Sequence, residues 1–206
     1  RFRFIKGGIK LEKNTLNFKQ YANRGRHQVL SISTYYGHEI HKPGTTASQL
    51  SEYDDYQSFV TAYLHNESYH RLIGHSFWLG LYLDGYWSSQ RNFNNYWATI
   101  LSLNQYSPTP YSRVLFLKEL RSSQYVALGL APVVDFGSNV SFRVDAFVYQ
   151  PYRAILSDSN GLAYYGKTFA SREYLMSASL VYSSPVGPVS ISVSHYPKNM
   201  GKQFFI

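Results

Sequence analysis

Residues 75–87 read HSFWLGLYLDGYW. Side chains of two kinds alternate in this run: Phe77, Leu79, Leu81 and Leu83 have one parity, and Ser76, Gly80, Tyr82 and Asp84 have the other. Successive side chains of a strand point to opposite faces, so the pattern predicts a ribbon with one apolar and one more polar face. The run is long enough for a tilted strand to cross a bilayer, which takes about 9–11 residues. A half-buried strand of a soluble protein would show the same alternation, so its recurrence along the chain decides the class.

The composition limits the ways in which this chain can cross a membrane. Its 206 residues include 20 Tyr, 13 Phe, 3 Trp and no Cys, and only 16% are charged, against about 25% in an average soluble domain. No run of eighteen apolar residues occurs, which excludes a transmembrane helix. A closed barrel is then the only spanning structure left, because lipid cannot satisfy open sheet edges. The absence of Cys excludes a disulfide framework and thiolate metal sites.

The net charge is +8, and much of it lies within residues 1–42. A basic patch is one signature of nucleic-acid binding. No RNA- or DNA-binding motif accompanies the charge, so we expect no nucleic-acid partner. Charge in a barrel lumen and in turns near anionic lipid headgroups is the interpretation we favour.

The alternation recurs along the chain and predicts an all-β, antiparallel transmembrane barrel segment. The nine predicted strands cover residues 2–13, 27–36, 56–64, 75–87, 124–136, 140–149, 174–182, 189–194 and 203–206. Residues 65–68 are predicted to turn the third strand, and 151–169 to form a long loop. The residues expected to face lipid are Phe77, Leu79, Leu81, Leu83, Val126, Leu128, Leu130, Phe142, Val144, Val148, Met176, Leu180, Ile191 and Val193.

Connection lengths test the topology, because outer-membrane barrels have short periplasmic turns and longer outer loops. If residues 88–123 form a single outer loop, long and short connections alternate from the second strand onward. An additional spanning strand at 96–104 would break that alternation. We therefore treat 1–206 as one barrel segment and 88–123 as one long loop.

Nine strands are not the even number usual for a small bacterial barrel. The chain begins with Arg-Phe-Arg-Phe, which does not form the charged leader and apolar stretch of a signal peptide, and it ends within a predicted strand. The expectation is a segment of a longer protein whose remaining barrel strands lie elsewhere.

Three stretches resemble known barrel families. Residues 14–25, and residues 107–112 with Phe116 and 120–129, resemble the barrel of outer-membrane patatin-like proteins. Residues 184–192 are similar to the penultimate hairpin of the bacterial surface-antigen barrel superfamily, which includes the outer-membrane insertases and two-partner secretion transporters. The resemblance implies the C-terminal half of a sixteen-stranded barrel in a bacterial outer membrane, with lipid and possible outer-membrane protein complexes as partners.

The same resemblance implies that 88–123 folds into the lumen and carries an arginine that grips acidic side chains. The matching arginine is Arg121, within Glu-Leu-Arg rather than the insertases' own Arg-Gly-aromatic motif, and the implied partners are Asp145 and Glu173. A planar guanidinium can bind a carboxylate through two parallel hydrogen bonds. Ordinary lumen polarity, with Arg143 or Arg172 as the partner of these carboxylates, is the alternative.

No catalytic or metal site is predicted. The patatin-like family uses a Ser-Asp dyad with a Gly-x-Ser-x-Gly motif, but here Gly74-His75-Ser76 lacks the second glycine and Asp84-Gly85 stands alone. Any such dyad would lie upstream of Arg1. The seven histidines form no evident ligand set, and polarity of the loop after the second strand explains His38, His41, Asp54 and Asp55, so no cofactor is expected.

The sequence thus predicts a barrel segment that anchors, and possibly helps to export, an upstream patatin-like domain. Two alternatives stay open: an insertase-type barrel that assists assembly of other outer-membrane proteins, and a soluble lipocalin-like binder of an apolar ligand. An upstream Gly-x-Ser-x-Gly domain would favour the first function, and an upstream array of small periplasmic modules would favour the insertase.

Overall fold

The computed structural model describes residues 2–42, 53–93, 95–197 and 202–205. Within these ranges, eleven strands and one short α-helix follow one another. The strands are β1 (Phe2–Asn14), β2 (Arg26–His41), β3 (Tyr53–Ile73), β4 (Phe77–Ser88), β5 (Gln124–Gly137), β6 (Val140–Pro151), β7 (Arg153–Ser157), β8 (Ala163–Thr168), β9 (Glu173–Ser184), β10 (Gly187–His195) and β11 (Lys202–Phe205). The predicted antiparallel all-β class is confirmed.

Nine of these strands form one antiparallel sheet in the order β1-β2-β3-β4-β5-β6-β9-β10-β11. Each strand pairs with the one before and after it, and β7 and β8 form a separate hairpin between β6 and β9. Among the described residues no pairing joins β1 to β11, so the sheet is open at both edges.

Six of the eight connections of the sheet divide by length between its two ends, and residues 15–25 and 196–201 do not. Residues 42–52, 89–123 and 152–172 join strands at one end, whereas residues 74–76, 138–139 and 185–186 join them at the other. The turn 15–25 lies at this second end and is longer than its neighbours. Its Asn17 side chain bonds the backbone of Asn23 and Arg24, which holds the turn closed on itself.

Several predicted boundaries are wrong in detail. Residues 65–68 do not turn the chain but lie inside β3, which runs for 21 residues. The predicted loop 151–169 contains both β7 and β8. The expectation that residues 96–104 hold no spanning strand is confirmed: α1 (Tyr96–Ser102) forms there, and the side chain of its N-cap Asn95 accepts a hydrogen bond from the Ala98 amide.

The two faces of the sheet have opposite environments. On the covered face, residues 89–123 and the turn 15–25 pack against the strands, and the buried cluster there includes Tyr82, Tyr106, Leu120, Phe147 and Tyr149. On the bare face the side chains have no such cover, so Leu128, Leu180 and Ile191 are 57%, 48% and 59% exposed. The buried centre of the molecule therefore lies on one side of the sheet.

The sheet is curled toward its covered face. The Tyr21 hydroxyl, in the turn between β1 and β2, accepts a hydrogen bond of 3.0 Å from Ser190 on β10. In a flat sheet β2 and β10 would be roughly 30 Å apart, at about 4.8 Å for each step between strands. The Tyr21 side chain cannot cover that distance from the turn 15–25, which is closed on itself. The strands must therefore bend around the covered face.

Candidate functional site: the polar network of the covered face

A buried ion pair on β6 forms the centre of the site. Arg143 and Asp145 are two residues apart on one strand, so their side chains point to the same face. Arg143 Nη2 donates to Asp145 Oδ1 at 2.6 Å, and Arg143 Nε donates to both carboxylate oxygens at 3.1–3.2 Å. Ser177 on β9 donates to Oδ2 at 3.1 Å. Each side chain of the pair is 6% exposed, so the charges are compensated by direct bonds rather than by bulk water.

The same guanidinium connects β6 to three other parts of the fold. Its Nη1 donates to the Ala22 carbonyl at 3.1 Å, and its Nη2 donates to the Tyr82 and Tyr69 hydroxyls at 3.1 and 3.4 Å. Both tyrosines donate in turn to Glu67 Oε1, at 3.1 and 2.9 Å. The network thus crosses from β6 through β4 to β3 and fixes the turn 15–25 over the sheet.

Two histidines lie beside Glu67, and each bonds a different carboxylate. His65 Nδ1 lies 3.0 Å from Asp84 Oδ1, which also accepts a hydrogen bond from Tyr63 at 2.8 Å. On the neighbouring strand, His27 Nε2 lies 2.8 Å from Glu12 Oε1. Strands β1, β2, β3 and β4 each contribute to this histidine cluster, which we define as Glu12, His27, His65, Glu67 and Asp84.

The histidine cluster opens on a cavity of about 630 Å³. Its wall comes from β1 to β5 and from residues 102–108 and 113 of the long connection. Ionic and hydroxyl-bearing residues dominate that wall, including Lys6, Lys10, Ser31, Thr61 and Arg113. Chemically, the arrangement offers charge, hydrogen bonds and imidazole nitrogens facing an accessible space.

The predicted lock between Arg121, Asp145 and Glu173 is not found. Arg121 donates to the Leu103 carbonyl at 2.8 Å, to the Ile100 carbonyl at 3.3 Å and to Gln105 Oε1 at 3.1 Å, and it lies over the Phe116 ring. It therefore binds the C-terminal carbonyls of α1 within its own connection, where orphan acceptors attract a cation. Burial lowers the pKa of the Arg121 guanidinium below its ordinary value.

Arg143, which was the alternative to Arg121 as the partner of Asp145, is the arginine that binds this carboxylate. Glu173 lies opposite Tyr149 in the register of β6 and β9, and within the described residues it forms no ion pair with Arg121. Arg172 donates instead to Gln150 Oε1 at 2.9 Å. Parity along β6 was enough to find the Arg143–Asp145 pair, whereas the contacts of Arg121 depend on how residues 89–123 fold.

The fourteen residues predicted to face lipid all lie on the bare face. Phe77, Leu79 and Val148 are half-buried there and the other eleven are exposed. The covered face carries the opposite chemistry: Ser177, Ser179 and Ser192 are 7%, 2% and 1% exposed. Serines and an ion pair are thus buried on the covered face together with aromatic and some aliphatic side chains, whereas most aliphatic side chains of the bare face are exposed.

The remaining candidates fall in separate places. Ser76 lies in the turn between β3 and β4, and Asp84 is buried on the covered face, so the fold gives them different surroundings. His38 pairs with Asp54 across β2 and β3, and the side chain of His41 lies outside the described part of the chain. The histidine cluster was missed because its members are far apart in sequence; the signal available was the shared parity of His27, His65 and Glu67.

In the described ranges, no helix has the length and apolar character needed to cross a membrane. Comparisons of the chain with protein-family models, with curated proteins and with solved structures found no match. The resemblance to patatin-like and surface-antigen barrels therefore remains a prediction.

Proposed function

We propose that this chain is a segment of a transmembrane β-barrel of a bacterial outer membrane. The observation that carries the proposal is the contrast between the two faces: serines and an ion pair are buried on the covered face, and a row of leucine, isoleucine and valine side chains is exposed on the bare face. In water this arrangement leaves a continuous apolar surface exposed, which soluble monomers rarely have. In a bilayer the same surface faces acyl chains, and the polar face lines the interior.

The connections support the same assignment. Three long connections lie at one end of the sheet and three short turns lie at the other, as in outer-membrane barrels, and residues 15–25 and 196–201 are the exceptions. Strand β4 has 12 residues, and β5, β6 and β9 have 14, 12 and 12, enough for a tilted crossing.

The open edges bear on the size of the barrel. Unpaired backbone groups at an edge cost several kcal/mol each in hydrocarbon, so a sheet in lipid must close. We infer that β1 and β11 pair with further strands, and the surface-antigen resemblance supplies the number sixteen for the whole barrel. Residues 88–123 would then fill the lumen from the end that carries the long connections.

The work of such a segment is to anchor. In our proposal it holds an upstream patatin-like domain at the membrane, with export of that domain as a further possible role, and this part rests on the sequence resemblance alone. The lipocalin-like alternative needs an apolar ligand cavity, but ionic and hydroxyl-bearing residues line the large cavity here. A Gly-x-Ser-x-Gly domain in the same protein would support the anchor, and an array of small periplasmic modules would support the insertase.

Adjacent residues on β2 provide a direct test of the membrane assignment. Ile32 is 55% exposed on the bare face, and Ser31 faces the cavity. Because the chain has no Cys, Ile32→Cys and Ser31→Cys each carry one unique site for a bimane label. In vesicles, spin-labelled acyl chains should quench the label at 32, and aqueous iodide should quench the label at 31.

Two results would contradict the proposal. One is quenching of both labels by iodide with no effect of spin-labelled lipid, which would place the bare face in water. The other is protection of the label at 32 from both quenchers, which would place it in a protein interior. Matched unlabelled variants, checked for heat-dependent mobility in SDS gels, show whether each substitution leaves the fold intact.

A further inference from the structure

Three potential metal ligands converge on one wall of the cavity. In the register of β2 and β3, His27 lies directly opposite Glu67, and His65 precedes Glu67 by two residues on the same face. One donor atom from each of the three side chains lies within 4.8 Å of the others. The two imidazole rings are 5.0 Å apart, edge to face.

Each histidine also has a carboxylate that fixes its ring. Asp84 lies 3.0 Å from His65 Nδ1, and Glu12 lies 2.8 Å from His27 Nε2. Carboxylates in this position orient metal-bound imidazoles and raise their basicity. The other nitrogen of His65, Nε2, faces Glu67 Oε2 across 3.8 Å, which exceeds hydrogen-bond length. The gap between these two atoms is where a shared cation fits.

The two carboxylates beside His65 favour a positive charge at this place, which either a bound cation or a protonated imidazole supplies. Among the described residues, neither Glu67 nor Asp84 has a Lys or Arg partner within 4.0 Å, and His65 is their ion-pair partner. Two imidazolium rings 5.0 Å apart would repel each other. A bound divalent ion removes that repulsion, because both rings then act as neutral ligands.

We propose that His27, His65 and Glu67 bind a divalent transition-metal ion, represented by Zn²⁺, with Asp84 and Glu12 holding the two rings. Imidazole and carboxylate are the ligand types that suit zinc. A tetrahedral ion with bonds of about 2.0 Å sets its donors about 3.3 Å apart, so small side-chain rotations complete the site. The fourth position faces the cavity and takes water. The site does not depend on the membrane assignment.

The test uses the full chain, refolded in detergent, freed of metal with a chelator and titrated with Co²⁺ and Zn²⁺. The wild-type chain should bind one equivalent, give the visible absorption of tetrahedral Co²⁺, and show two imidazole nitrogens in zinc X-ray absorption. His27→Ala and His65→Ala should each abolish the visible absorption of tetrahedral Co²⁺. Asp84→Asn removes only an orienting carboxylate and should weaken binding about 10- to 100-fold.

His75→Ala is the matched control, because His75 is exposed in the turn between β3 and β4 and contacts Arg71 instead of the cluster. It should bind both metals as the wild type does. Equal affinity in all variants, or loss of binding in the control, would overturn the proposal. If a variant fails to fold, zinc X-ray absorption on the wild-type chain still tests the proposal. A zinc coordination shell without imidazole nitrogen would overturn the proposal.

Discussion

The covered face has two halves that are filled in different ways. Around Arg143 and Asp145, side chains are held by charged hydrogen bonds that run from β9 to β3. Under residues 89–123, aromatic rings fill the space instead. The ring centroids of Tyr106 and Tyr149 are 5.6 Å apart and the rings are stacked, and the ring centroid of Tyr125 is 4.9 Å from that of Tyr149. We call these the polar half and the aromatic half.

Tyr82 joins the two halves. Its hydroxyl belongs to the polar half, and its ring meets Phe147 of the aromatic half edge to face at 5.2 Å. Hydroxyls in the aromatic half are less well satisfied, since Tyr106 and Tyr149 have buried hydroxyls without a hydrogen-bond partner among the described residues. Burial also raises the pKa of the Tyr106 hydroxyl well above its ordinary value. Directional bonds thus set positions in the polar half, and shape sets them in the aromatic half.

The largest expected effect comes from breaking the ion pair of the polar half. Arg143→Met leaves Asp145 buried without its cation, and we expect a loss of about 3–5 kcal/mol in the free energy of unfolding. Urea titration of the refolded chain measures it. The double variant Arg143→Met/Asp145→Leu removes both charges and should recover most of the loss. A single variant as stable as the wild type would contradict a structural role for the pair.

The second prediction compares one tyrosine from each half. Tyr82→Phe removes a hydroxyl that bonds Arg143 and Glu67, and hydrogen bonds to charged groups contribute about 1.5–3 kcal/mol. Tyr149→Phe removes a hydroxyl with no partner among the described residues and should leave stability unchanged or slightly raised. Equal losses in the two variants, measured by the same urea titration, would remove the distinction between the halves.

The third prediction tests packing in the aromatic half. A Cβ added at Gly129 would lie 2.2 Å from the Phe147 ring, which is buried and cannot swing away freely. Gly129→Ala should therefore cost about 1–3 kcal/mol through overpacking. Gly85→Ala is the control, because its nearest neighbour, Leu64 Cβ, is 4.0 Å away on the bare face. Thermal unfolding should separate the two, and equal midpoints would show that Phe147 has room to move.

The smallest expected effect is the coupling between Arg121 and Asp145. They share no hydrogen-bond partner among the described residues, so Arg121→Ala and Asp145→Asn should add within about 0.5 kcal/mol in a double-mutant cycle. Arg121→Ala should instead speed hydrogen exchange in α1, whose carbonyls it binds. A coupling above about 1 kcal/mol would restore the lock that the resemblance implied.

Period-two alternation was enough to predict the nine strands of the sheet, because one face carries apolar residues and the other polar ones. It also predicted that Asp145 and Arg143 share a face. The alternation failed at 65–68, where four consecutive polar residues wrongly predicted a turn inside β3. Three of these side chains have partners on neighbouring strands: His65 bonds Asp84, Asn66 accepts from Gln28, and Glu67 accepts from Tyr82.

Alternation along the sequence could not predict contacts that depend on irregular segments or on strand register. Nothing in the spacing of residues 88–123 indicates that Arg121 turns back to the carbonyls of Ile100 and Leu103. The histidine cluster needs the register of four strands, and a shift of one residue in any of them would send its members to the other face. Sequence patterns fix the face of a strand residue, but its partner depends on register.

The unequal lengths of β3 and β4 shape the rim of the sheet. Pairing of β3 with β4 stops at Thr61 and Ser88, whereas pairing of β3 with β2 continues to Tyr53 and His41. Residues 53–60 thus extend about 26 Å further, at about 3.3 Å for each residue. The rim of the sheet at this end is therefore slanted, because the paired ends of β2 and β3 project past the end of β4.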